Sequence, residues 1–105
     1  MAFTDLFRRR TSWTLADAVE RHRASPETFR VPTDEATAAL RVGDLVKVIV
    51  EPDTGRAERV WLTVHDVAEL AGTLNTDATE LPGLRAGDVV PFERRHVIAI
   101  RGRSA

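Results

Sequence analysis

His65 and His96 are side chains of a type that could bind a metal ion or transfer a proton. Joined by a carboxylate from Asp44 or Asp88, they would make up a two-histidine, one-carboxylate metal site. Their spacing does not favour such a site, because none of these residues lies at a short ligand interval such as H-x-H. We therefore predict no metal site and no cofactor. A metal-assisted enzyme that uses His65 and His96 is the third of three functional hypotheses.

Catalytic signatures of other kinds are missing from the sequence. The chain has no cysteine, which excludes a disulfide framework, a thiolate metal site and a cysteine nucleophile. Its serines, Ser12, Ser25 and Ser104, lie outside any G-x-S-x-G elbow, and there is no glycine-rich loop of the phosphate-binding type. We predict that the protein has no catalytic residues and is not an enzyme.

Trp61 is the single side chain with the clearest binding potential. Its ring can pack under the helices as core, which is the favoured interpretation, or stand exposed as a platform for a base or a peptide. A polar, acidic loop over residues 75–83 follows later in the chain. The first functional hypothesis is a non-catalytic module that binds another protein through a sheet edge or this loop region. Its candidate partner-binding residues are Trp61, Asn75, Asp77 and Glu80.

Two arginine clusters suggest the second hypothesis, a nucleic-acid-binding module. The formal net charge of −1 gives no global attraction to nucleic acid or to anionic lipid, so the clusters would have to converge on one face. Aromatic side chains interleaved with the arginines would strengthen this hypothesis, but Phe92 is the only aromatic residue near the second cluster. The candidate residues are Arg8, Arg9, Arg10, Arg94, Arg95, Arg101 and Arg103.

The phrase L-R-x-G-D-x-V occurs twice, over residues 40–46 and 84–90, and each copy opens an apolar run. Glycine tolerates the positive φ of a tight turn, and aspartate can accept hydrogen bonds from the backbone of that turn. Paired acids for proton transfer are the less favoured interpretation of the two aspartates. We predict that Gly43, Asp44, Gly87 and Asp88 form structural turns that lead into strands.

Hydrophobic periodicity places helices first and strands after them. Thr14 is a candidate N-cap for a helix over 15–24, Ser25-Pro26-Glu27 repeats the start signal, and Thr33 caps a further short helix. Alternating apolar residues then predict a hairpin closed by a turn at 52–55, and Gly72 marks a bulge or a close backbone approach. The chain is expected to break near Pro91 or at Arg94-Arg95. Strands are predicted over 45–51, 58–67, 70–74, 89–93 and 96–101.

This order of elements predicts an α+β fold, in which short N-terminal helices precede a strongly bent antiparallel sheet or small open barrel of about five strands. We expect a partly flexible lead-in over residues 1–12, a single domain over 13–101 and a flexible tail over 102–105. No apolar run approaches the length of a membrane span, and the N-terminus lacks a secretion-signal pattern, so we expect a cytoplasmic protein with no membrane partner.

A series of short motifs runs in a fixed order through the second half of the chain. They are G-D-x-V-K from Gly43, a glutamate and a tryptophan at Glu58 and Trp61, and G-x-L-N from Gly72. They end with L-x-x-G-D-x-V-x-F from Leu84, followed by His96-Val97. In these features, over about residues 43–100, the chain resembles the YegJ-like family of small bacterial domains of unknown function. The resemblance implies family membership and a fold but no reaction. The chain departs from the family pattern after Asn75, where the family often has a proline.

Overall fold

The computed structural model describes residues 13–76 and 83–102, and the strands within them form one antiparallel sheet. The sheet order is β1-β2-β3-β4-β5, and β6 pairs with β2 on the same edge as β1. The sheet curls strongly into a half-barrel accompanied by short helices, which confirms the α+β prediction. The strands are β1 (Trp13–Leu15), β2 (Leu45–Pro52), β3 (Glu58–Asp66), β4 (Ala71–Leu74), β5 (Val89–Pro91) and β6 (Ala99–Arg101).

The first helix, α1, spans Ala18–Ala24 and begins later than predicted. Asp17 is its N-cap, because its carboxylate accepts a hydrogen bond from the Glu20 backbone N–H at 3.0 Å. The prediction of Thr14 as the cap was wrong. Thr14 lies in β1 opposite Glu51. Residues 13–15 form backbone hydrogen bonds with the edge of β2, and a helix over these residues would not provide those bonds.

The segment after α1 also differs in part from its prediction. Ser25-Pro26 starts a turn rather than a helix, and the Ser25 carbonyl accepts the Phe29 backbone N–H at 2.8 Å. The predicted Thr33 cap is confirmed, because its hydroxyl accepts the Ala36 N–H at 3.1 Å and starts α2, Asp34–Ala38.

The predicted hairpin is confirmed as β2 and β3, which pair from Leu45 opposite Thr63 to Val50 opposite Glu58. One face of these strands points into the half-barrel and is fully buried at Val46, Val48, Leu62 and Val64. Burial of these side chains is the main contribution to the free energy of folding. The remaining buried members of this core are Leu40, Val50, Val60, Leu74, Leu84, Val90, Phe92 and Val97.

The C-terminal strands are shorter than predicted because a 3₁₀ turn, Arg94–His96, separates them. The turn is held by its own cap, in which the Glu93 backbone N–H donates to His96 Nδ1 at 2.9 Å. The chain thus breaks at the Arg94-Arg95 corner, which the sequence offered as one of two positions.

Candidate binding surface around Trp61

Trp61 lies on the outer face of the half-barrel. Side chains of a strand alternate between faces, and its neighbours Val60 and Leu62 fill the interior. The Trp61 side chain is half-buried and is not part of the core cluster. The favoured prediction that Trp61 is core was therefore wrong, since the interior is filled by the opposite side of the same strand.

Two cationic side chains lie over the Trp61 ring. Lys47 stands directly opposite Trp61 in the β2–β3 register, and its Nζ is 5.1 Å from the ring centroid. Arg101 of β6 pairs with Leu45, one step along the same outer face, and its Cζ is 5.2 Å from the centroid. Both distances are within the range of cation–π attraction, so the ring holds the two charges near each other.

Asn75 borders Trp61 on the side away from Lys47. The Asn75 backbone N–H donates to the Trp61 carbonyl at 3.1 Å, and the Thr63 hydroxyl donates to Asn75 Oδ1 at 2.6 Å. Asn75 is exposed, and these bonds leave its amide nitrogen available to a partner. The other two predicted partner-binding residues, Asp77 and Glu80, lie outside the described residues.

We use the term Trp61 surface for Trp61, its two cations, Asn75 and the exposed Arg59, which lies two residues before Trp61 on the same face. The four salt bridges found in residues 13–76 and 83–102 involve Arg21, Arg23 and Arg95 as the cations. None of them neutralises Lys47, Arg59 or Arg101. As far as the described residues define it, the surface is therefore locally positive on a chain whose net charge is −1.

In the second basic cluster, the described members Arg94 and Arg95 do not share a surface with Arg101. Arg95 donates to Glu93 and to Asp17, both at 2.9 Å, and is thereby neutralised. Arg94 is exposed and, together with Arg95, lines a mainly apolar cleft beside α1 and α2, whereas Arg101 lies at the Trp61 surface. The remaining candidates, Arg8, Arg9, Arg10 and Arg103, lie outside the part of the chain that the structure describes.

The Arg95 ion pairs change the ionisation of their members. A hydrogen bond from the Glu20 backbone, followed by the Arg95 guanidinium, lowers the pKa of Asp17. Hydrogen bonding from Arg95 lowers the pKa of Glu93, and Glu93 and Asp17 in turn raise the pKa of Arg95. These charges stabilise the junction between α1 and the 3₁₀ turn. They are not left open to a partner.

The two histidines of the metal hypothesis have different surroundings. His96 is buried, and burial lowers the pKa of its imidazole, whose Nδ1 already accepts the Glu93 N–H. His65 is exposed on β3. Across the described ranges, no group of three histidine, aspartate or glutamate side chains is placed to hold a metal ion.

The two Gly-Asp phrases fold into the same turn. Gly43 has φ of 98° and Gly87 has φ of 90°, conformations that L side chains rarely adopt. Asp44 Oδ2 accepts the Arg41 backbone N–H at 2.9 Å, and Asp88 Oδ2 accepts the Arg85 N–H at 2.8 Å. Each carboxylate is thus bonded within its own turn.

Sequence reasoning missed Lys47 and Arg59 as members of the Trp61 surface. The sequence nevertheless contained a signal for both residues. Arg59 lies two residues before Trp61 and so points to the same face of the strand, and the hairpin register places Lys47 opposite Trp61. Arg101 was assigned to a different surface, because its contact with Trp61 depends on the pairing of β6 with β2.

Comparisons with family models, with curated proteins and with solved structures found no match to this chain. Among the described residues, no helix is both long enough and apolar enough to cross a membrane.

Proposed function

We propose that the protein is a non-catalytic binding module whose Trp61 surface binds an acidic segment of another protein. The observation that carries the proposal is the pair of cations, Lys47 and Arg101, held over the Trp61 ring without a carboxylate partner among the described residues. We further propose a cytoplasmic location and membership in the YegJ-like family, for which the ordered motifs over residues 43–100 are the support.

The chemistry of these groups suits a carboxylate ligand. An ammonium and a guanidinium that contact an aromatic face keep N–H donors directed outward, and charge-assisted hydrogen bonds to carboxylates are stronger than neutral ones. The exposed amide of Asn75 adds a donor on the other side of the ring. An extended segment with acidic side chains could contact all three positions.

Nucleic-acid binding is the second candidate, because an aromatic side chain flanked by cations on a sheet is also how single strands are bound. Two observations make it the weaker one. A base that stacks on Trp61 has to displace a cation that already lies over the ring. Moreover, Arg95 is neutralised by two carboxylates, and the exposed Arg94 lines a cleft beside α1 and α2 and not the Trp61 surface, so these arginines do not extend the positive surface.

Titration with short peptides tests the proposal. The probes are a Glu-rich peptide, its Gln-for-Glu counterpart and an oligothymidylate of similar length, and the readout is Trp61 fluorescence in a Trp13→Phe background. We expect the Glu-rich peptide to bind the native chain. Its affinity for the double variant Lys47→Gln/Arg101→Gln should be about tenfold lower or more, since two charge-assisted contacts are lost.

Arg23→Gln is the matched control, because Arg23 is exposed but is paired with Glu20 on α1. It should change the affinity less than about twofold. The proposal fails if the Glu-rich peptide does not bind at low salt, or if the double variant binds it as well as the native chain does. Tighter binding of the oligothymidylate would replace it with the second candidate.

A further inference from the structure

A small pocket adjoins the Trp61 surface, between the turn that follows α1 and the outer face of the sheet. Its volume is about 160 Å³. Thr28, Phe29 and Arg30 contribute from the turn, and Lys47 and Arg59 contribute from β2 and β3. Ile98 and Ala99 close its remaining side.

Three cations line this pocket and no acidic side chain does. Arg30, Lys47 and Arg59 take no part in the salt bridges of the described residues. Like charges that line one small volume repel one another, and an anion that lies between them reduces the repulsion. The lining thus has the charge of an anion site, and Thr28 is its one residue with a hydroxyl.

The turn that brings Arg30 to the sheet is fixed by contacts on both sides of Phe29. The Phe29 N–H donates to the Ser25 carbonyl at 2.8 Å, and the Phe29 carbonyl lies 2.7 Å from His22 Nδ1. The Arg21 guanidinium lies over the Phe29 ring, 5.9 Å from its centroid. Since α1 holds the turn in this way, the backbone next to Arg30 is positioned before any ligand arrives, which lowers the entropic cost of binding.

We propose that this pocket binds the phosphate of a phosphorylated serine or threonine on the partner protein. A phosphate monoester carries about two negative charges and three acceptor oxygens near neutral pH, which matches three cations better than a single carboxylate does. The inference rests on the proposed function. Lys47 belongs both to the Trp61 surface and to the pocket, so one partner would contact the two together. Binding alone is proposed, and no bond is formed or broken.

The test compares two acidic peptides that are identical except for one phosphoserine. Their affinities are measured by calorimetry in a phosphate-free buffer, with inorganic phosphate and adenosine monophosphate as further probes. We expect the phosphopeptide to bind about tenfold or more tightly than its unphosphorylated counterpart, an effect typical of new charge-assisted bonds. The ratio should fall below about pH 6, where the phosphate gains a proton.

Two variants separate this proposal from the preceding one. Arg30→Gln should bring the phosphopeptide to the affinity of the unphosphorylated peptide while leaving the latter unchanged, because Arg30 lines the pocket only. Arg101→Gln should lower the affinities of both peptides and leave the ratio of the two affinities unchanged, because Arg101 contacts Trp61 and does not line the pocket. Arg23→Gln again serves as the control.

The pocket proposal is overturned if the native chain binds the two peptides equally, or if Arg30→Gln keeps the preference for phosphoserine. It is also overturned if inorganic phosphate or adenosine monophosphate binds more tightly than the phosphopeptide, since the ligand would then be a free phosphate or a nucleotide. Failure of the proposed function has a different result, namely no binding of the unphosphorylated acidic peptide together with no effect of Arg101→Gln.

Discussion

Substitution of Gly72 by alanine should destabilise the fold sharply, because the half-barrel leaves no space for a side chain at this position. Gly72 lies in β4 opposite Val64, where β3 and β4 shift register. A Cβ at residue 72 would lie 2.9 Å from Leu62 Cβ and 2.9 Å from the Thr63 carbonyl oxygen. The sequence predicted a bulge or a close backbone approach at this glycine. The close approach is confirmed, and the register shift lies in β3, from its partner Val64 to Asp66.

The magnitude follows from those two contacts. Carbon atoms pack best at about 3.5 to 4.0 Å, so the Leu62 contact is roughly 0.6 to 1 Å too short. The second clash is with the Thr63 carbonyl, which cannot turn aside as a flexible side chain could. Leu62 is fully buried, so it has little room to move. Overpacking of this kind costs about 1–3 kcal/mol, and the upper part of that range applies to a backbone clash. The entropy gain of replacing glycine offsets less than about 1 kcal/mol.

A net loss of about 2 kcal/mol should lower the melting temperature by roughly 8–16 °C for a domain of this size. Urea unfolding followed by circular dichroism gives the free energy, and Gly102→Ala is the control, since a Cβ there meets nothing within 4 Å. The control should remain within about 0.5 kcal/mol of the native chain. If Gly72→Ala also stays within about 0.5 kcal/mol of the native chain, the expected clash between a Cβ at residue 72 and β3 is contradicted.

Three further outcomes are expected. Burial lowers the pKa of His96 below 6.5. The stability that the neutral, buried His96 contributes is therefore complete above pH 6.5 and is lost as the pH falls toward the pKa of His96 in the folded state. His96→Asn keeps an acceptor without titrating, so its urea midpoint should change less than that of the native chain between about pH 7 and 5, and equal changes would contradict the assignment. Asp88→Ala should cost about 1 kcal/mol in urea unfolding by removing the acceptor for the Arg85 N–H, while Asp88→Asn should cost less, and the reverse order would contradict the turn geometry. Arg59→Gln should leave the thermal melting temperature unchanged or raise it, because Arg59 has no salt-bridge partner among the described residues, and a clear fall would indicate a structural role.

The features that could be predicted from sequence are those governed by local chemistry. The Thr33 cap and the conformation of the Gly-Asp turns depend on residues within a few positions of one another, and the β2–β3 hairpin depends on two segments joined by one short turn. The strand β1 depends instead on an edge of β2 that lies more than thirty residues away in the chain. Local preference favoured a helix from Thr14, but pairing with β2 outweighed it.

The environment of Trp61 was harder to predict for a related reason. The two faces of β2 are both apolar, since Ile49 on the outer face is as well buried as the interior valines. Alternation alone could not show which face fills the barrel. The hairpin register places Lys47 and Arg59 beside Trp61, but the position of Arg101 depends on the pairing of β6 with β2.

The paired Gly-Asp turns explain how this surface is positioned. In the first turn, the Gly43 N–H donates to the Val64 carbonyl at 2.8 Å, and the Asp44 carbonyl accepts the Val64 N–H at 2.8 Å. The second turn makes the same two bonds to Leu74, at 2.7 and 2.9 Å. Each turn therefore attaches the start of one strand to a single residue of its neighbour and sets the register between them.

That register has a direct consequence for binding. Val64 is three residues after Trp61, and Asp44 is three residues before Lys47, so the bonds of the first turn place Lys47 opposite Trp61. A slip of one residue would move every side chain of β3 to the other face and put Trp61 inside the barrel. The turns take no part in the proposed chemistry, yet they determine that the ring and its cations meet on the outer face.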